Sequence, residues 1–167
     1  MKSQSFIPSS VAAVLTLALG TLLVPGTAHA QNISKTAQAG SYTVTLEVLP
    51  PEAFTGADAP MVKDSGAAPN TVNGPEHPNH HLVAFVKQDG KPVEDATVTI
   101  SYREVASGKG NMGKSGDWTQ LEVVRMHAAG KGLASTHYGN NVHLASGTYD
   151  VRVSVNGSAP ASFEVSL

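Results

Sequence analysis

The chain has 167 residues, of which 14% are charged, and its formal net charge is −2. This balance excludes the cationic face that binding to nucleic acid or to an anionic membrane surface requires. The chain contains no cysteine, which excludes disulfides, thiol catalysis and a cysteine-linked lipid anchor, so any metal site must be built from histidine, methionine and carboxylates.

Residues 1–30 have the features of a cleaved signal peptide. Lys2 gives a positive start, and residues 11–24 form an almost unbroken apolar run. Residues 28–30, Ala-His-Ala, place small side chains where signal peptidase cuts. The run is too short for a membrane span of about 20 residues, which disfavours the alternative of a retained anchor. We therefore expect a periplasmic protein with one domain over residues 31–167.

Apolar and polar residues alternate with period two along the mature chain, which predicts half-buried strands. Four segments show this pattern: residues 42–48, 97–102, 149–155 and 162–167. Residues 82–86 are apolar throughout and predict a central strand that is covered on both sides. Weaker strands are expected over residues 121–124 and 138–144.

Turn residues separate these predicted strands. Asp89-Gly90 follows the central strand, and Asn156-Gly157 is a strong hairpin signal between the last two strands. No helical period extends over three turns. About seven short strands predict an all-β, immunoglobulin-like sandwich of two antiparallel sheets. Residues 50–78 and 107–117 are rich in small and turn-forming residues and are expected to be long excursions.

Histidines are the candidate functional residues. Imidazole with a thioether suits copper, and imidazole with carboxylate suits iron or zinc. Outside the leader the candidates fall in three groups: His77, His80 and His81; His127, directly after Met126; and His137 with His143. Since strand ends meet at the rims of a sandwich, we expect the first two groups to converge at one rim. The alternative is a set of surface histidines with only weak, adventitious affinity.

Two short motifs resemble those of the periplasmic iron-transport-associated family. Met126 precedes a His-Tyr-Gly-Asn-Asn-Val segment at residues 137–142, and a His-Leu pair opens the central strand at His81. Members of that family are small immunoglobulin-like proteins, encoded beside bacterial iron permeases, that bind copper and iron at one site. The resemblance implies metal ligands at His81, Met126 and His137.

The sequence departs from that family at two positions. The family has Glu directly after the His-Leu pair, whereas this chain has Val83. A further family histidine lies in a C-terminal segment that this chain lacks. We therefore keep His80, His127 and His143 as candidates for the missing ligand.

These observations predict a periplasmic metal-binding protein that serves metal uptake, delivery or buffering, and not an enzyme. No Gly-x-Ser-x-Gly elbow or phosphate-binding loop is present. Copper is the expected ion and iron the second candidate, while the resemblance implies an inner-membrane metal permease as partner and a homodimer. Two alternatives remain: an exported immunoglobulin-like module without a specific metal site, and an enzyme that uses a bound metal with an open position.

Overall fold

The computed structural model describes residues 32–53, 77–105, 116–128 and 131–167. The predicted signal peptide and most of residues 50–78 and 107–117 lie outside this described part. Within it, the chain forms ten strands and one 3₁₀ turn at Leu133–Ser135. None of its helical segments is long and apolar enough to cross a bilayer.

The strands form two antiparallel sheets. In chain order they are β1 (Ile33–Ala39), β2 (Tyr42–Leu49), β3 (His80–Gln88), β4 (Lys91–Pro92), β5 (Val98–Val105), β6 (Thr119–Leu121), β7 (Val124–Met126), β8 (His137–Val142), β9 (Thr148–Val155) and β10 (Ala161–Ser166). One sheet has the order β1-β2-β3-β8-β7, with β4 paired to β3, and the other has the order β10-β9-β5-β6. The predicted two-sheet sandwich is confirmed.

The main core lies between the two sheets. Alternate residues of β2 and β9 face it and are almost fully buried: Val44, Leu46, Val48, Val151, Val153 and Val155. Burying each such side chain stabilises the fold by about 1.5–3 kcal/mol. The period-two alternation of the sequence therefore reports which face of each strand turns inward.

The central strand β3 is buried on both faces, as the sequence predicts. Leu82 and Ala84 face the main core. Val83 points the opposite way and packs with Val124 and Met126 in a separate apolar cluster. These three residues define the outer cluster, which covers the outward face of the larger sheet.

The single strand predicted over residues 121–124 is wrong. Leu121 ends β6 in the smaller sheet, and Val124 begins β7 in the larger one. The chain crosses between the sheets at the two intervening residues. Leu121 packs in the main core, whereas Val124 packs in the outer cluster. Residues 121–124 therefore contribute to two different apolar clusters.

Both predicted turns are confirmed. Asp89 and Gly90 have φ values of 50° and 78°, and Asn156 and Gly157 have 50° and 73°. Two consecutive residues with positive φ form the type I′ turn, whose twist matches that of a hairpin. The second turn is closed by a 2.9 Å hydrogen bond from the Ser158 N–H to the Val155 carbonyl and lies between β9 and β10.

Candidate metal centre

Two histidines and one glutamate gather on the outward face of the larger sheet. His81 is the second residue of β3, His137 opens β8, and Glu52 follows the end of β2 by three residues. One ligand atom from each side chain lies within 4.8 Å of the other two. Three segments that are far apart in sequence thus contribute to one group.

The pairing of β3 with β8 explains how the two imidazoles meet. His81 lies opposite Asn141 and Val83 lies opposite Gly139, so Gly139 occupies the face between the two histidines. Their ring centroids are 6.1 Å apart and the ring planes are nearly perpendicular, at 88°. The glycine leaves no side chain between the rings.

His81 and His137 therefore meet over the face of the larger sheet. The convergence predicted from sequence was a different one, of the His81 group with Met126 and His127 at one rim. His81 is paired near the C-terminal end of β8, whereas His137 is its first residue. The Phe85 ring lies 5.3 Å from the His137 ring, centroid to centroid. This contact holds His137 against β3.

Asn141 connects His81 to Glu52. Its Oδ1 atom lies 2.9 Å from His81 Nδ1 and accepts a 2.9 Å hydrogen bond from the Glu52 backbone N–H. Its Nδ2 atom donates a 2.7 Å hydrogen bond to the Glu52 carbonyl. Asn141 is fully buried, so this connection is shielded from solvent.

Both imidazoles use Nδ1 as a donor. In His81, Nδ1 faces the Asn141 carbonyl oxygen, and in His137 it lies 2.9 Å from the Ser135 carbonyl oxygen. A carbonyl oxygen only accepts, so the proton of each neutral ring is on Nδ1 and the lone pair is on Nε2. Hydrogen bonds of this kind orient metal-binding histidines and fix their tautomer.

Burial keeps His81 neutral. Desolvation, reinforced by the nearby His137, lowers the pKa of His81 from 6.5 to about 4, although the Asn141 hydrogen bond opposes the shift. A metal binds only the neutral imidazole. At neutral pH, His81 therefore carries the lone pair that a metal requires.

Glu52 provides a carboxylate beside this lone pair. His81 Nε2 lies 3.1 Å from Glu52 Oε2, and the side chains are 1% and 49% exposed. Donor atoms about 2.0–2.2 Å from a tetrahedral ion are roughly 3.3 Å from one another. Because the Nε2 lone pair and the carboxylate oxygen are both acceptors, their close approach is suitable for a shared cation. The half-exposed carboxylate is the side of the group that faces solvent.

The structure brings together two of the five predicted ligands. His81 and His137 belong to the group with Glu52. Met126 lies opposite His137 in the register of β7 with β8, so their side chains share the outward face, and Met126 is only 2% exposed. His127 follows Met126 directly and is not part of this group.

His143 lies apart from the group. The strand ends at Val142, one residue before it, whereas the sequence predicted a strand over residues 138–144. His143 is exposed, and its Nδ1 lies 3.1 Å from the His77 carbonyl oxygen. His80, the neighbour of His81, is oriented by the Asn79 side chain.

Sequence reasoning missed Glu52 and the role of Asn141. Glu52 follows two prolines after β2, where no periodicity marks it, and only the register of β2 with β3 brings it near His81. Asn141 was visible as the last residue of the His-Tyr-Gly-Asn-Asn motif. A buried asparagine two residues after a strand glycine was the available signal for an orienting side chain.

Comparisons with known proteins show a shared fold. No protein-family model and no curated protein matches the sequence. A DUF4426 family protein from Pseudomonas aeruginosa has a similar structure, with a TM-score of 0.51 and 17% identity, over 80% of this chain and 94% of that one. At this identity the likeness shows the fold alone.

Two further solved structures are similar at lower TM-scores. FetP of uropathogenic Escherichia coli has a TM-score of 0.46 and 16% identity, over 82% of this chain and 95% of that one. A copper-reconstituted protein from Campylobacter jejuni has a TM-score of 0.40 and 14% identity, over 80% of this chain and 91% of that one.

Proposed function

We propose that this protein is an exported metal-binding protein that holds copper through His81, His137 and Glu52, with Met126 as a thioether donor. The proposal is carried by one observation: two imidazoles and a carboxylate from three segments place their ligand atoms within 4.8 Å of one another. The orientation of the two imidazoles also supports the proposal, since Nδ1 of each histidine is held by a carbonyl oxygen.

The donor set favours copper. Imidazole nitrogen binds copper well, and a thioether sulfur favours its Cu(I) state. Met126 is buried on the same face as His137, where its sulfur is shielded from competing water. Iron is the second ion that we propose, because imidazole with carboxylate also suits iron.

We propose binding and release of the ion, and not turnover, as the role of the site. His81 is fully buried and neutral, whereas Glu52 is half exposed, so an ion would enter and leave on the carboxylate side. We place this role in the periplasm, as buffering or as delivery to an inner-membrane metal permease, and we propose a homodimer on the family resemblance. The signal-peptide features of residues 1–30 support export.

Copper titration of the purified mature protein tests the proposal. We expect one tightly bound ion per chain in calorimetry against a competing chelator. His81→Gln with His137→Gln removes both imidazoles at similar size and is expected to weaken affinity by at least about 100-fold. The matched control is His80→Gln with His143→Gln, which also removes two histidines and is expected to change affinity less than about twofold.

Glu52→Gln separates the carboxylate from the imidazoles. It keeps the shape of the side chain but removes its charge, and we expect roughly tenfold weaker copper binding. Equal copper affinity in the wild type and in the His81/His137 double variant would contradict the proposal. The remaining hypothesis would then be an exported module without a specific metal site.

A further inference from the structure

The Asn141 side chain makes three polar contacts with the two residues that it would orient, His81 and Glu52. Its amide oxygen faces His81 Nδ1 at 2.9 Å and the Glu52 N–H at 2.9 Å, and its amide nitrogen faces the Glu52 carbonyl at 2.7 Å. It is 0% exposed. A buried polar side chain with all these partners is costly to alter, since each lost partner leaves a buried polar atom unsatisfied.

The backbone of Glu52 fixes the orientation of this amide. If the amide of Asn141 were rotated by 180°, its nitrogen would face the Glu52 N–H and its oxygen would face the Glu52 carbonyl. Two donors would then oppose each other, as would two acceptors. The orientation with Oδ1 toward His81 is therefore the one that the hydrogen-bond network allows.

We infer that Asn141 is a positioning residue that sets the tautomer of His81 and docks Glu52 beside it. The docked backbone of Glu52 orients the amide, and the amide oxygen accepts a hydrogen bond from His81 Nδ1–H. The lone pair of Nε2 is thereby directed to the side where the Glu52 carboxylate lies at 3.1 Å. One side chain thus couples the orientation of two ligands from different segments.

The role of Asn141 in metal affinity rests on the proposed function, whereas its role in setting the tautomer does not. If Asn141 holds both ligands, metal affinity depends on a residue that never touches the ion. Side chains that hydrogen-bond to metal ligands change metal affinity by about 10- to 100-fold when they are removed. The tautomer of His81 is measurable without any metal.

Long-range ¹H–¹⁵N correlation spectra of the metal-free protein at pH 7 test the tautomer directly. In the wild type we expect the His81 proton on Nδ1. In Asn141→Asp a carboxylate oxygen still accepts the hydrogen bond from Nδ1–H, so we expect the same tautomer. In Asn141→Ala we expect the Nε2–H form to become populated. A wild-type proton on Nε2, or an unchanged Nδ1–H form in Asn141→Ala, would overturn the inference.

Copper affinity tests the docking of Glu52. Asn141→Asp keeps the acceptor for His81 but loses the donor to the Glu52 carbonyl, so we expect weaker binding despite an unchanged tautomer. Asn141→Ala loses both and is expected to bind about 10- to 100-fold more weakly. Unchanged affinity in both variants, with a weakened Glu52→Gln variant, would overturn the docking role.

Asn79 provides a matched control. Its Oδ1 accepts a 2.9 Å hydrogen bond from the Leu144 N–H and lies 2.8 Å from His80 Nδ1. Its Nδ2 donates a 2.8 Å hydrogen bond to the Leu144 carbonyl. Asn79 thus makes the same pattern of hydrogen bonds as Asn141, but it makes them outside the group of Glu52, His81 and His137. We expect Asn79→Ala to leave copper affinity within about twofold, and an equal loss in both variants would contradict a specific role for Asn141.

The two proposals fail separately. If the wild type binds no copper but His81 carries its proton on Nδ1, the proposed function fails and the orienting role of Asn141 stands. If copper binds through His81 and His137 but the tautomer is Nε2–H, the proposed function stands and the orienting role fails.

Discussion

Burial of His81 makes the folding stability depend on pH. The pKa of His81 falls from 6.5 to about 4 on folding because burial disfavours the charged ring. Between these values the unfolded chain binds a proton that the native protein does not. The contribution of His81 to stability is therefore fully present above pH 6.5 and is lost as the pH falls toward 4.

We expect acidification from pH 7 to pH 4.5 to lower the free energy of unfolding by about 2–3 kcal/mol through His81 alone. Urea unfolding of the metal-free protein at both pH values measures this loss. In His81→Gln the loss should be smaller by that amount, because carboxylates and other histidines contribute equally to both proteins. An identical loss in both proteins would show that His81 is not held neutral.

The two histidines of the proposed site could be predicted from sequence, whereas its carboxylate could not. His81 and His137 lie in short motifs with a recognisable neighbour, Leu82 or Tyr138. Glu52 has no such neighbour, and its approach to His81 depends on the path of the chain after β2. A contact between segments is a property of register and loop path, which local patterns do not encode.

At the scale of elements, β8 is the strand on which the site depends. All six of its residues are buried, and it contributes His137 and Asn141. A Cβ atom added at Gly139 would lie 2.1 Å from the Leu82 carbonyl oxygen and 2.7 Å from Val83 Cα. Both are backbone atoms, so the two strands must move apart to accept any side chain there.

We expect Gly139→Ala to destabilise the protein by about 3 kcal/mol, at the upper end of the usual cost of overpacking. Copper affinity should fall as well, because His81 and His137 lie on the two strands that separate. The matched control is Gly147→Ala, whose nearest atom beyond its chain neighbours is the flexible Glu104 carboxylate at 3.4 Å. Equal stability of the two variants in urea unfolding would disprove the close approach at Gly139.

Strands with strict alternation and the continuously apolar β3 were predicted from sequence, whereas β1 and the separation of β6 from β7 were not. β2, β9 and β10 alternate between core and solvent along most of their length, so period two predicts them. The pattern did not predict β1, an edge strand with mostly exposed polar residues. The pattern also predicted one strand over residues 121–124, where the structure has the end of β6 and the start of β7. Hydrophobicity alone does not indicate to which sheet a residue belongs.

At the scale of the whole molecule, the metal group joins three parts of the chain. Glu52 lies beyond β2, His81 lies in β3, and His137 lies in β8, and the chain contains no cysteine to cross-link them. An ion held by all three would bridge strands that are otherwise held by hydrogen bonds, the main core and the outer cluster. Because the unfolded chain cannot assemble this group, binding should favour the native state.

We therefore expect copper to raise the melting temperature. Free copper at about 100 times the dissociation constant adds about 2.7 kcal/mol to the free energy of unfolding, which corresponds to a rise on the order of 10 °C for a domain of this size. Calorimetric scans with and without copper measure the rise. The His81→Gln, His137→Gln double variant should show none, and the His80→Gln, His143→Gln control should keep it. A rise retained in the first variant and lost in the second would place the stabilising ion at the exposed histidines, and the bridge between the three segments would not exist.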